Sequence, residues 1–254
     1  MIVIGMGRVG QGIRRCAERN GVRLHSIDRE NGWEALGTEN AGPVLVTTNA
    51  GDLVDVVGRV PSERLADLVF VQNGMIDSVL AGLGLSENTR GLLYFAVPSR
   101  GLDPQPGGDS IFCGPHADSM CNWFHAIELG ADAVSGDEFQ AEMMSKLIWN
   151  CVFGLLCDVH QCSVGTLVGN HRADVDALIG ELVQVSNGGA GTRLSKAEVS
   201  DALCAYSMSI SEYTGTLKQW NWRNGWFVDA SAALATETPF HTELLSRVGA
   251  VEPA

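Results

Sequence analysis

Positive charge is scarce in this chain. Seventeen lysines and arginines stand against 30 aspartates and glutamates, a formal net charge of −13, and the pI is near 4.8. An acidic surface repels phosphate backbones, and the densest basic run is only Arg14-Arg15, so nucleic acid is not expected as a partner. Long apolar runs are missing too: no stretch approaches the ~18 residues of a membrane-spanning helix, so no membrane partner is expected. The chain opens with Met1-Ile2-Val3-Ile4 and a glycine motif, without the basic and apolar segments of a signal peptide. Seven cysteines, an odd number, contain no CxxC pair. Free thiols in a reducing cytoplasm are therefore expected. Cys157-Asp158-Val159-His160-Gln161-Cys162 lacks a second ligand pair at zinc-finger spacing, so no metal site is expected.

Glycine, by contrast, is plentiful: 30 of 254 residues, above the usual ~7%. No triplet period accompanies it, so the excess points to tight turns and close backbone approaches. With 45% hydrophobic and 19% charged residues, the chain can bury a sizeable core.

The N-terminal half alternates between two hydrophobic periods. Residues 1–4, 22–28, 43–48, 68–72 and 92–97 read as strands. Residues 8–19 read as a helix stopped by Asn20-Gly21, and 52–60 as a second helix stopped by Pro61. Strands joined by helical crossovers imply a doubly wound, mostly parallel sheet of Rossmann type. Beyond about residue 133 strand signals vanish, and helices are expected over 137–158, 172–187, 195–219 and 226–236. The fold class is thus α/β followed by an all-helical domain, with domains 1–134 for a dinucleotide and 135–254 for substrate and dimerisation. The tail 251–254 is expected to be loose.

Four motifs carry chemistry. Gly5-Met6-Gly7-Arg8-Val9-Gly10 is a G-x-G-x-x-G between a strand and a helix. Gly5 makes the turn, Gly7 admits a pyrophosphate and Gly10 lets helix and strand approach, while the helix N-terminus receives the anion. Asp28 ends the next strand, near the spacing of a ribose-binding acid, and favours NAD. Its neighbour Arg29 could instead pair with the 2′-phosphate of NADP. Val71-Gln72-Asn73-Gly74-Met75 puts Asn73 at a strand's carboxyl end, either as a ligand-facing amide or as a plain Asn-Gly turn. In the helix around 146–154, Lys146, Asn150 and Gly154 share one face. Lys146 either loses hydration there, which lowers its pKa toward a proton donor's, or snorkels to water. Finally, Trp220, Trp222 and Trp226 fit core packing or a subunit interface, with a homodimer as the expectation.

These pieces, in this order, resemble the ketopantoate reductase (2-dehydropantoate 2-reductase) family over nearly the whole chain. The family pairs G-x-G-x-x-G with an N-G-M segment, a K-x-x-x-N helix, and a serine-bearing helix that leads to N-G, here Ser207 and Asn224-Gly225. The resemblance implies a cytoplasmic reductase that uses NADP, with NAD as the other candidate, on a small 2-oxo acid or related carbonyl. It makes Lys146 the general acid. It places Asn73 near nicotinamide and substrate, and Asn150 and Ser207 on the substrate's hydroxyl and carboxylate. Three positions depart from the family. Asn49 stands where a cofactor-binding lysine is common, Gly154 replaces an asparagine, and Gln219 replaces a carboxylate at the substrate. Two other readings remain beside this one: a catalytically inactive nucleotide-binding regulator on the same fold, and a relative of the 6-phosphogluconate or 3-hydroxy acid dehydrogenases.

Overall fold

A computed structural model describes residues 1–37 and 42–251. The chain divides into two compact units, Met1–Phe139 and Gln140–Ala254.

The first unit runs β1 (Ile2–Ile4), α1 (Arg8–Arg19), β2 (His25–Ile27), β3 (Val44–Val46), α2 (Leu53–Val57), β4 (Leu68–Phe70), α3 (Asp77–Gly82) and β5 (Arg90–Leu92). It continues with β6 (Phe95–Ala96), β7 (Gln105–Pro106), β8 (Ser110–Cys113), α4 (Ala117–Ala126) and β9 (Ala131–Ala133). Among the described residues one seven-stranded sheet has the order β2-β1-β3-β4-β5-β8-β9. Its neighbours are parallel except β5 and β8, which run antiparallel. Every residue of β1, β3 and β4 is buried, as expected of strands covered on both faces. One of those faces packs Val3, Leu45, Val69 and Phe112 with Ile13, Cys16 and Ala17 of α1 and with Met120 and Phe124 of α4.

Helix α1 follows its amphipathic pattern over the full expected span, and its end at Asn20 is completed by Gly21 in the left-handed region (φ +65°). The strands are shorter than expected. In particular, 92–97 is not one strand: the sheet loses the chain after Leu92, and Phe95-Ala96 pair instead with Gln105-Pro106 in a separate ribbon. The expected helix over 52–60 is a short 3₁₀ turn (Ala50–Asp52) followed by the five residues of α2. The β8-α4-β9 stretch lacked a periodic signal, because β8 is half polar on its faces and β9 is a three-residue edge strand.

The second unit is all helical: α5 (Gly136–His160), α6 (Val164–Asn170), α7 (Arg172–Gly189), α8 (Lys196–Ser209), α9 (Asn224–Ala233) and α10 (Pro239–Arg247). Residues 151–157 of α5 are all buried and form the spine of the core. The helix expected over 195–219 ends ten residues early, at Ser209. Ser207 and Ser209 turn their hydroxyls back onto the carbonyls of Leu203 and Tyr206, which competes with continued helix. Thr214-Gly215-Thr216 then propagates a helix poorly. What replaces the helix is a close backbone crossing: a Cβ on Gly215 would lie 3.0 Å from Gly154 Cα, and one on Gly154 would lie 2.9 Å from the Thr216 carbonyl oxygen. The short α6 and α10 were not expected. Each is set by its start, Ser163 capping the Thr166 amide and Pro239 at the first turn.

The seven cysteines are free. Among the described residues no single helix is long and apolar enough to cross a membrane; α5 with α6 passes on composition only as a pair bent by 81°. Of the tail expected to be loose, 252–254 lie outside the described residues.

Candidate active site

Each unit carries one half of the candidate chemistry. In the first, the chain reverses its direction of travel across the sheet between β2 and β3, on either side of β1. In such sheets a ligand sits beyond the carboxyl ends of the strands at this point. The glycine loop occupies that position, and its three glycines have distinct environments. Gly5 adopts φ +102°, and a Cβ on it would collide with Thr48 at 2.8–2.9 Å. A Cβ on Gly10 would lie 2.0 Å from the Gly5 carbonyl oxygen, so only glycine allows α1 to start this close to β1. Around Gly7 nothing lies within 4 Å of a built Cβ. Two glycines are thus demanded by packing, while the third faces open space at the N-terminus of α1, where a pyrophosphate would approach. Met6 and Val9 are half-buried and Arg8 is exposed.

The carboxyl end of β3 joins this loop. Thr47 donates its hydroxyl to the Gly5 carbonyl at 2.6 Å, whereas the Thr48 hydroxyl is buried with no hydrogen-bond partner. Gln72, ending the β4 segment, donates to the carbonyls of Val46 and Thr48 at 2.8 and 3.2 Å, and its own carbonyl oxygen is likewise buried without a partner. Open space at Gly7 and unsatisfied polar atoms at the strand ends fit a bound dinucleotide. The threonines were not singled out in the sequence, although two hydroxyls at a strand's carboxyl end were a readable signal.

Asn73 and Asn49 are both exposed at strand ends, Asn73 ahead of Gly74 (φ +100°) and Asn49 ahead of a 3₁₀ turn. At the end of β2, Asp28 Oδ1 accepts the amides of Glu30 and Asn31 at 2.9 and 2.8 Å. Those bonds hold its carboxyl below the usual range, so it is charged at neutral pH. The Arg29 side chain is exposed. Its carbonyl receives Arg59 at 2.8 Å, and the Arg59 guanidinium stacks 3.8 Å over Trp33. Nothing in the local pattern announced Arg59, which reaches this corner from 30 residues along the chain.

In the second unit, Lys146 stands on α5 between the buried Met143-Met144 and Leu147-Ile148. The residue as a whole is half-buried, but its amine loses its water. That loss, helped by the like charge of Arg223, brings its pKa down to about 7. Asn150, one turn on, donates its amide back to the Lys146 carbonyl at 2.7 Å, which leaves its side-chain oxygen as an acceptor. Ser207 is fully buried: its hydroxyl donates to the Leu203 carbonyl at 2.8 Å and accepts the Trp149 indole N–H at 2.9 Å. Gln219 is exposed and left-handed at φ +54°, ψ +48°. The place a side chain at 154 would need is taken by the backbone at Thr216.

Two features of this unit were not foreseen. Arg223, the lone cation in the tryptophan-rich segment, is 4% exposed. His160, His171 and Asp174 bring three potential ligand atoms within 4.8 Å of one another, with Cys157 and Cys162 outside the group. There the two imidazoles stack at 3.9 Å, and His160 is hydrogen-bonded to Asp174 at 3.0 Å.

Fold and site together define a class first: a Rossmann-type domain followed by an all-helical domain that carries a desolvated lysine. Residues 138–252 match the family model of the ketopantoate reductase PanE/ApbA C-terminal domain. Over these residues the chain is similar to the C-terminal domain of the ketopantoate reductase family. A PanE/ApbA family ketopantoate reductase from Ralstonia eutropha JMP134 has a TM-score of 0.76 at 17% identity, over 98% of this chain and 97% of its own. A 2-dehydropantoate 2-reductase from Methylococcus capsulatus has a TM-score of 0.77 at 14% identity, over 96% and 94%. D-mandelate dehydrogenase, solved in complex with NADH, has a TM-score of 0.75 at 14% identity, over 98% and 97%. At such identities the likeness speaks for fold. No curated protein matches the sequence.

Proposed function

We propose that this protein is a nicotinamide-dependent reductase of the ketopantoate reductase type, acting on the carbonyl of a small 2-oxo acid. The observation that carries the reading is Lys146. Its pKa near 7 lets it hold a proton at neutral pH and release it without a large penalty, as a general acid must. Its charge beside a carbonyl oxygen stabilises the alkoxide that forms as the carbon is reduced. Bound at Gly5 to Gly10, a reduced nicotinamide dinucleotide supplies the hydride. Asp28 and Arg29 flank the ribose end, Asn49 and Asn73 stand at the strand ends where the nicotinamide would lie, and Asn150 offers an acceptor to the product hydroxyl. Arg29 is the proposed partner of a 2′-phosphate, which makes NADPH the preferred reductant. The fold of a neighbour solved with NADH supports a nicotinamide cofactor.

Ketopantoate is not the substrate proposed. The asparagine at 154 is replaced by a glycine whose side-chain space is filled. Where the resemblance, aligned without a gap, places a carboxylate, this chain has the exposed Gln219. Lys146→Ala should lower kcat by roughly 10²- to 10⁴-fold, the usual weight of general acid catalysis. NADPH affinity in a fluorescence titration should not change. Retention of kcat in that variant would refute the role given to Lys146.

A further inference from the structure

A buried arginine normally brings its partners with it, and this protein shows what that looks like. Arg64, 7% exposed, donates to Asp67 at 2.6 Å and to the carbonyls of Leu36 and Gly42 at 3.0 Å each. Arg223 is more buried still, at 4%, yet among the described residues no carboxylate pairs with it, and its Nε–H is enclosed without an acceptor. Leaving a charged donor unsatisfied costs far more than leaving a neutral one. Such an arginine is suited to hold an anion.

Its placement is built rather than incidental. Its own amide donates to the Trp220 carbonyl, and its carbonyl accepts the Phe227 amide. The next residue, Asn224, is held through its side-chain oxygen by His241 Nε2 at 2.8 Å, and burial keeps that histidine neutral at neutral pH. A Cβ on Gly225 would come within 2.7 Å of Trp220. The Asn-Gly pair therefore locks the backbone that presents Arg223. Upstream, the Trp149–Tyr213 ring contact at 5.9 Å and the Gly154–Thr216 crossing lay the segment leading to Arg223 along the face of α5. Arg223 also stands at the N-terminus of α9, a ten-residue helix with no acidic residue in its first turn, where the backbone dipole adds to the positive potential.

We propose that Arg223 is the carboxylate-recognition residue of this protein, so that its substrates are 2-oxo acids bound as anions through the guanidinium. The proposal rests on the reductase reading for the rest of the substrate. Ser207, to which the family resemblance gives the carboxylate, cannot donate to it: its one proton is committed to the Leu203 carbonyl, and a carboxylate only accepts. The two terminal nitrogens of the Arg223 guanidinium offer the paired donors that a carboxylate takes in a fork.

The test uses oxamate, an unreactive 2-oxo acid analogue, and its neutral ethyl ester. Both are titrated into the full chain with and without NADPH, following tryptophan fluorescence. Oxamate should bind the unmodified protein at least ten times more tightly than the ester. Arg223→Gln should weaken oxamate roughly 10- to 100-fold, the weight of a charge-assisted hydrogen bond, with Arg223→Lys in between and NADPH affinity equal in all three. Equal affinity of the unmodified protein and Arg223→Gln for oxamate overturns the proposal. So does failure of oxamate to bind, or equal binding of acid and ester, which decides the matter even where the variant does not fold. Arg223-dependent oxamate binding without any NAD(P)H turnover would refute the reductase reading alone. Turnover of 2-oxo acids indifferent to Arg223→Gln would refute this proposal alone.

Discussion

At the scale of single residues, Gly7 separates packing from binding. Gly5 and Gly10 are required by the backbone itself, whereas Gly7 borders open space. Gly7→Asp should therefore leave the melting temperature within about 2 °C of the parent, because surface substitutions away from special features stay within ~0.5 kcal/mol. It should also abolish NAD(P)H binding, because a carboxylate then occupies the pyrophosphate's place. A folded variant with unchanged affinity contradicts the Rossmann reading. Arg29 tests a finer point. With Asp28 charged and committed through one oxygen to its own turn, the exposed Arg29 is the 2′-phosphate partner proposed. Arg29→Ala should lower the NADPH-to-NADH ratio of kcat/KM by about tenfold, a charged hydrogen bond's worth; an unchanged ratio removes that assignment.

At the scale of elements, the crossing of α5 by the segment after α8 leaves no room for a side chain at 154. A side chain at 154 meets the Thr216 carbonyl at 2.9 Å, and the backbone there cannot swing away as a flexible side chain would. Gly154→Ala should destabilise the protein by roughly 1–3 kcal/mol, the cost of overpacking, and Gly154→Asn by more, in urea unfolding. Neutral substitution would show that the crossing is loose.

The same elements show what the sequence could and could not convey. Helix α1 and the glycine loop were legible because their periodicity and glycine spacing are local. That Lys146 and Asn150 share a helix face was legible, because i and i+4 do so wherever the helix packs, but the local sequence left open whether Lys146 is enclosed or reaches water. The end of α8 was legible only in part: Ser207, Ser209 and Thr214-Gly215-Thr216 are local signals, whereas the crossing of Gly215 over Gly154 joins distant parts of the chain. Arg223 was not, because one arginine among tryptophans gives no local sign of whether it is solvated or enclosed. Nor could local pattern tell that the Ser207 proton is already taken.

At the scale of the whole molecule, an acidic chain with net charge −13 keeps two cations, Lys146 and Arg223, in desolvated positions of its helical unit, and that is the core of the functional account. The sign of the pH dependence follows. The lysine's pKa is lowered from about 10.4 to about 7, and the working form is the protonated one. The measurement that tests this most directly is kcat/KM for a 2-oxo acid with NADPH between pH 5.5 and 9. The account predicts a plateau at acid pH and a tenfold fall per pH unit above an apparent pKa near 7, with Lys146→Ala showing no such inflection. A profile flat through pH 9, or no oxidation of NADPH or NADH with any 2-oxo acid, would contradict it.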